Sequence, residues 1–86
     1  MRNSNTEIFA TDNFQLACYL LSESCQLLSL DRTNPRRVSF LFEDTPKRLE
    51  LTDKFLAHEA LVEPHRFTSA QRDLKQLIYE KGTSYT

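Results

Sequence analysis

A run of alternating apolar residues near the middle of the chain limits what this sequence can fold into. Val38, Phe40 and Phe42 occupy every second position, which is the period-two pattern of a β-strand. Another apolar run precedes it at residues 27–30, and turn formers and arginines lie between the two runs. Two strands joined by a polar turn predict a β-hairpin. We place its strands at residues 25–31 and 36–43.

Two explanations compete for the aromatic residues of the second strand. Exposed Phe40 and Phe42 would form a platform on which nucleic-acid bases stack. A strand needs a buried face, however, and these are its most apolar residues, so packing in the core is favoured. The opposite face carries Leu41, with Leu27 or Leu28 from the partner strand. Either a helix or a second copy of the chain would cover that face, and the second alternative predicts a homodimer.

The first helix is predicted over residues 13–23. Thr11 or Asp12 is expected to cap it, and Asp12 with Gln15 fits a capping box, in which two side chains satisfy backbone donors reciprocally. No glycine follows the helix, so Ser24 has to end it at a local energetic cost. The apolar stripe of this helix consists of Phe14, Ala17, Cys18 and Leu21.

Two more helices are predicted to begin at prolines. In the second helix Thr45 is a suitable N-cap, and Pro46 suits the first helical position, where its missing N–H has no partner anyway. The third helix begins at Pro64 with Glu63 as its cap. We place these helices at residues 46–57 and 64–81. Their inward faces are predicted to contain Leu49, Leu51, Thr52, Phe55 and Leu56 in the second, and Phe67, Ala70, Leu74, Leu77 and Ile78 in the third.

The order of the elements predicts a small α+β domain. A short strand is expected at residues 7–10, and a further strand or an extended link at residues 60–62. The order β-α-β-β-α-(β)-α gives a three- or four-stranded sheet built on the central hairpin, with the helices packed on one face. A single domain is expected to cover residues 1–86, with flexible polar ends at 1–5 and 82–86.

Composition narrows the class of protein. The chain has 86 residues, which suits one domain, and its net charge of −1 excludes a global basic field that would attract nucleic acid. Two cysteines are too few for a disulfide framework, and a single glycine excludes a glycine-rich phosphate loop. The start of the chain is unlike a signal peptide, and no apolar run approaches the ~20 residues that span a bilayer. A cytoplasmic setting is therefore expected.

Three segments carry a resemblance to a known family: FATDNFQLACYLL, LLSLDRTNPRRVSFLFED and ALVEPHRFTSAQRDLKQLIYE. Together they resemble a small uncharacterised domain family of phage and bacterial genomes, over residues 8–80. Its members look to share three features. These are a first helix preceded by a threonine, a strand that ends in Phe-x-Phe-Glu-Asp, and a last helix with a leucine-lysine pair. The matching residues here are Thr11, the run Phe40-Leu41-Phe42-Glu43-Asp44, and Leu74-Lys75. Ser24 departs from the pattern, since a glycine would be usual there. The resemblance implies a small, non-enzymatic accessory domain.

The turn of the hairpin contains three arginines, Arg32, Arg36 and Arg37, with Asp31 beside them. Guanidinium groups bind phosphates bidentately, so the turn is a candidate contact for nucleic acid. An acidic protein partner is another candidate. The most frequent explanation of such a cluster is a solvated turn, whose arginines stay in water or pair with Asp31.

Two further groups of residues raise the question of a metal. The first contains Cys18, Cys25, His58 and His65, but its Cys-x6-Cys and His-x6-His spacings differ from those of structural zinc sites. The second contains Glu43, Asp44, Lys47 and Glu50, which could serve a metal-dependent hydrolase. Capping by Asp44 and Thr45 and helical pairing of Lys47 with Glu50 explain the second group more simply. We therefore expect no metal and no cofactor.

The sequence favours a non-enzymatic interaction module, cytoplasmic and self-associating, that serves as an accessory protein of a phage, a mobile element or a bacterium. Its partner is expected to be another protein or a second copy. The alternative is a nucleic-acid-binding protein that uses the arginine turn, and a metal-dependent hydrolase comes third. Neither a membrane partner nor a small-molecule substrate is expected.

Overall fold

The computed structural model describes residues 7–34 and 36–83 of the chain, with side chains up to residue 79. In this part the chain forms three strands and three helices. These are β1 (Ile8–Thr11), α1 (Phe14–Ser22), β2 (Leu27–Asp31), β3 (Ser39–Glu43), α2 (Pro46–Leu56) and α3 (Pro64–Thr83). The expected flexible ends at 1–5 and 84–86 lie outside the described residues, whereas residues 82 and 83 belong to α3.

The sheet has the strand order β1-β3-β2, and both pairings are antiparallel. The predicted hairpin is confirmed as β2 and β3, and β1 pairs with the other edge of β3. The optional fourth strand is not formed: residues 60–62 make no strand in the described structure. They belong to a short link between α2 and α3 in which Leu61 and Val62 are exposed.

One face of the sheet is buried. Phe40 and Phe42 are almost fully inaccessible to solvent, which confirms that they belong to the core. Phe42 lies between Phe9 of β1 and Leu27 of β2, its partners in register. A β-bulge between Leu27 and Ser29 shifts the hairpin register. Leu27 therefore shares a face with Phe42, because residues directly opposite in a sheet lie on the same side. Of the two leucines that were alternatives for the outer face, Leu27 therefore lies on the buried face, and Leu28 is the exposed one.

The helices cover this face, which confirms the α+β arrangement. The core joins Phe40 and Phe42 to residues of all three helices: Leu16, Ala17, Cys18, Tyr19 and Leu20 of α1, Leu51 of α2, and Ala70 and Leu74 of α3. α1 is buried over more than the single predicted stripe, because neighbours pack on several sides of it. The Phe14 ring lies 6.1 Å from that of Phe40, and Tyr19 stacks on Phe55 of α2 with 6.0 Å between centroids.

The inward face of α2 differs from the prediction. Leu49 and Leu56 were expected to face the core, yet both are exposed, whereas Arg48, Leu51 and Thr52 are buried. The helix is rotated about its axis because the Arg48 side chain is drawn inward by an ionic contact that is described below. Hydrophobicity alone gives no sign of this rotation, since it ranks leucine ahead of arginine for burial.

The predicted caps of α2 and α3 are confirmed, and that of α1 is wrong. Thr45 accepts a hydrogen bond from the Arg48 N–H, and the Glu63 carboxylate accepts from the N–H groups of the first turn of α3. α1 is capped by Asn13, whose Oδ1 accepts from the Leu16 N–H at 3.1 Å. Because β1 extends to Thr11, the helix begins too late for Asp12 to be its cap.

Ser24 ends α1 in a left-handed conformation, with φ of 72°. The Cys25 N–H donates to the Leu20 carbonyl and the Ser24 N–H to the Leu21 carbonyl, each at 3.0 Å. These two bonds form a Schellman motif, whose left-handed position is usually glycine. The energetic cost expected at Ser24 therefore arises from its left-handed backbone conformation.

Replacement of Ser24 by glycine should stabilise the fold. Ser24→Gly removes a left-handed penalty of roughly 1–2 kcal/mol, of which the greater freedom of glycine in the unfolded chain cancels part. We expect a net gain of about 0.5–1 kcal/mol in the free energy of unfolding, measured by urea denaturation. Ser24→Ala is the matched control and should bring no gain. Equal stability of the two variants would contradict this account.

Candidate functional site

The first arginine of the turn, Arg32, is bound to α3. Its Nη2 donates to the carbonyls of Leu77 and Ile78, at 3.2 Å and 2.7 Å. Its Nε is buried without an acceptor among the described residues, which offsets part of the gain from these bonds. Arg32 therefore has a structural role: it fastens the end of β2 to the C-terminal half of α3.

The other two arginines of the turn stay at the surface. Arg37 forms an ion pair with Asp12, with 3.0 Å between Nη1 and Oδ2, in which both side chains are well exposed. Arg36 is exposed, and its backbone N–H donates to the side chain of Asn34. Asp31, the expected partner of the arginines, accepts a hydrogen bond from Thr33 N–H at 2.9 Å. Hydrogen bonds from Thr33 lower the pKa of Asp31 below its ordinary value. The three arginines thus have three different environments.

A fourth arginine, Arg48, is almost completely buried. Its Nε and Nη2 donate to one carboxylate oxygen of Asp44, at 3.0 Å and 2.7 Å, and its Nη1 donates to Thr52 Oγ1 at 3.2 Å. The guanidinium carbon lies 3.9 Å from the centroid of the Phe9 ring, which is cation–π geometry. Its burial could not be predicted from the sequence, because an arginine in the first turn of a helix is usually solvated.

The carboxylates of the supposed hydrolase site are engaged elsewhere. Asp44 binds Arg48, and Glu50 lies 3.9 Å from the ammonium group of Lys54. Within residues 7–34 and 36–83, His, Cys, Asp and Glu side chains form no group of three or more that could hold a metal ion. Neither of the two residue groups that raised the question of a metal therefore forms such a cluster in the described residues.

Both cysteines are free thiols in the core. Burial raises the pKa of Cys18 to about 11, although Lys75 opposes the shift, and burial likewise raises the pKa of Cys25. At neutral pH the Cys18 thiol is protonated, and a protonated thiol is a weak nucleophile. The role that the sequence suggested for Cys18, a small apolar core residue, agrees with this environment.

The outer edge of β2 offers a candidate interaction surface. No strand pairs with this edge in the part of the chain that the structure describes. Beside it is a cavity of about 300 Å³ whose apolar lining is supplied by Leu27, Leu28 and Leu30 of the strand and by Leu77 of α3. Leu28, at the β-bulge, is 43% exposed. We call this surface the β2 edge. The sequence left open whether Leu27 or Leu28 faces outward, because the bulge that selects Leu28 has no glycine or proline to signal it.

Comparison with known proteins identifies a family and no function. The family model of a domain of unknown function, DUF5659, matches residues 6–80, so the chain belongs to this family. No curated protein and no solved structure matches the chain. No helix in the described residues is long and apolar enough to cross a membrane.

Removal of the buried arginine should destabilise the protein. Arg48→Met keeps much of the apolar stem but leaves the Asp44 carboxylate, whose side chain is only 27% exposed, without its cation. We expect the free energy of unfolding to fall by about 2–4 kcal/mol in urea titrations. Lys54→Met, which breaks an exposed ion pair on the same helix, is the matched control and should cost no more than about 0.5 kcal/mol. Similar losses in the two variants would show that Arg48 has no special role.

Proposed function

We propose that this DUF5659 domain is a non-enzymatic interaction module that pairs with a second copy of itself along the β2 edge. The observation that carries the proposal is an edge strand with exposed apolar side chains beside it. Proteins usually protect such edges with lysines, prolines or a covering element. Here residues 27–30 contain neither charge nor proline, and the strand bears its single acidic residue at its end, Asp31.

A second copy is a fitting partner because an antiparallel strand pair is self-complementary. Under two-fold symmetry the same backbone donors and acceptors meet from both sides, and the two sheets continue as one of six strands. Leu28 and Leu77 of each copy would then leave water together. The net charge of −1 opposes such pairing only weakly.

The positions of the titratable side chains, which bind other residues or lie in the core, support a role without catalysis. Asp44 is committed to Arg48, and burial keeps the thiol of Cys18 protonated. Functional sites usually gather perturbed groups in a cleft. Here the perturbed thiols belong to the packed core instead.

The proposed setting is the cytoplasm, as an accessory protein of a phage, a mobile element or a bacterium. Two buried free thiols support a reducing compartment. The phage or bacterial origin is supported by the resemblance of the three sequence segments alone.

Nucleic-acid binding by the arginine turn is a second candidate. The observation that favours it is that Arg36 and Arg37, which are consecutive residues at the tip of the hairpin, are both exposed. Arg32 would contribute indirectly, because its bonds to α3 hold the base of the turn.

Sedimentation velocity over a range of micromolar concentrations tests the self-association. We expect the wild-type chain to sediment at twice the mass of one chain, and Leu28→Lys to sediment as a monomer, because it places a charge at the paired edge. Ile8→Lys is the matched control: Ile8 is 58% exposed on β1, the opposite edge strand, and its substitution should leave the dimer intact. A wild-type chain that stays monomeric throughout would refute the proposal.

Fluorescence anisotropy with labelled single- and double-stranded DNA and RNA at low salt tests the second candidate. If the turn binds phosphates, Arg36→Ala with Arg37→Ala should weaken binding about tenfold or more and lower the salt slope by about one per arginine. Arg66→Ala with Arg72→Ala, two exposed arginines of α3, is the matched control and should change binding little. Equal effects of the two pairs would indicate nonspecific attraction and exclude the turn as a site.

A further inference from the structure

The outer side of α2 presents apolar side chains that the core does not use. Leu49 is 52% exposed and Leu56 is 67% exposed. They lie two helical turns apart and hence on the same side of the helix. The core is served instead by Leu51 and Thr52, on another side. α2 therefore has an inner apolar face, which is packed, and an outer one, which is open to solvent.

A cavity of about 450 Å³ is lined by Leu49 but not by Leu56. Its lining includes Leu49 and three acidic residues. The ammonium group of Lys54 also lines it, 3.9 Å from a Glu50 carboxylate oxygen. We call this site the α2 groove, and its lining consists of Pro46, Leu49, Glu50, Asp53, Lys54, Ala57 and Glu59. Three carboxylates against one ammonium group make its rim negative.

The fold itself brings Glu59 to the groove. His58 has a left-handed backbone, with φ of 63°, and ends α2 as Ser24 ends α1. This reversal lets the Glu59 N–H donate to the Lys54 carbonyl at 2.8 Å. The chain after the helix thus folds back against its last turn, and a third carboxylate joins those of Glu50 and Asp53.

We propose that the α2 groove binds a cationic amphipathic helix of a partner protein. An apolar stripe on such a helix would cover Leu49 and its neighbours, in the common helix-in-groove mode of recognition. Lysines or arginines on its flanks would meet Glu50, Asp53 and Glu59, and this charge complementarity would fix its orientation. A nucleic acid is disfavoured here, because its phosphates would face the acidic rim.

This proposal is independent of the pairing along the β2 edge, because the two surfaces lie on different elements. The binding test is therefore run with both the wild-type chain and the Leu28→Lys variant. Binding should be the same in both, whatever their masses. A wild-type chain that does not self-associate would then leave the groove proposal unaffected. Absence of peptide binding would likewise leave the self-association proposal unaffected.

The probe is a fluorescein-labelled peptide of about four helical turns, built from leucine on one face and lysine on the other. Its anisotropy is measured against increasing protein. A peptide with glutamate in place of lysine is the probe's own control. We expect saturable binding of the lysine peptide, weakened by raising the salt from about 50 to 300 mM, and binding of the glutamate peptide at least about tenfold weaker.

Two double variants locate the site. Leu49→Ser with Asp53→Lys removes one apolar and one acidic group from the groove, and should weaken binding about tenfold or more. Ile8→Ser with Glu7→Lys likewise removes one apolar and one acidic side chain, at exposed positions at the start of β1 and just before it, and should leave binding unchanged. Circular dichroism verifies that both variants keep the native helical content.

Absence of saturable binding to the wild-type chain, or equal weakening in both double variants, would overturn the proposal. A second copy is the competing occupant, since Arg36 and Arg37 offer positive charge to an acidic groove. Loss of self-association in the Leu49→Ser with Asp53→Lys variant, without any peptide binding by the wild-type chain, would decide for that occupant.

Discussion

The position of α2, and with it one corner of the fold, depends on a buried ionic contact. Arg48 binds Asp44, donates to Thr52 and lies over the ring of Phe9, so one side chain joins α2, β1 and the end of β3. The Asp44 N–H meanwhile donates to the Glu7 carbonyl next to β1. A buried charge requires a partner, because desolvation costs several kcal/mol per ion, and the arrangement therefore permits few alternatives. The contact defines which side of α2 faces inward.

The inward placement of Arg48 leaves a neighbouring side of α2 facing solvent. With Arg48, Leu51 and Thr52 turned inward, Leu49 and Leu56 are left in water. A helix that turned Leu49 and Leu56 toward the core would have removed Leu49 from the lining of the α2 groove. The same contact that stabilises the corner thus creates the surface to which we assign a partner. Arg32 has a similar role at the β2 edge. Its hydrogen bonds hold α3 against the end of β2 and thereby keep Leu77 beside that strand.

Local rules predicted what local interactions determine. The alternation around Phe40 and Phe42 located the hairpin and its core face, and the prolines at 46 and 64 with their caps located two helix starts. Rules of this kind failed where contacts between distant segments decide. The cap of α1 depends on how far β1 extends along β3, and the facing of α2 depends on the Arg48 ion pair. The outer edge of β2 is free because β1 pairs with β3 and not with β2. The sequence of β2 does not reveal this choice of partner.

The two proposed surfaces have a combined effect that neither has alone. The β2 edge and the α2 groove share no lining residue, so pairing along β2 would not use the residues of either groove. A partner that carries two cationic helices would then bind both grooves, and its second contact would be intramolecular. Linkage of this kind raises the effective affinity by roughly 10²–10⁴ without any new contact, provided that the linker spans the two sites. If both proposals hold, a partner with two cationic helices would therefore bind the dimer more tightly than a partner with one.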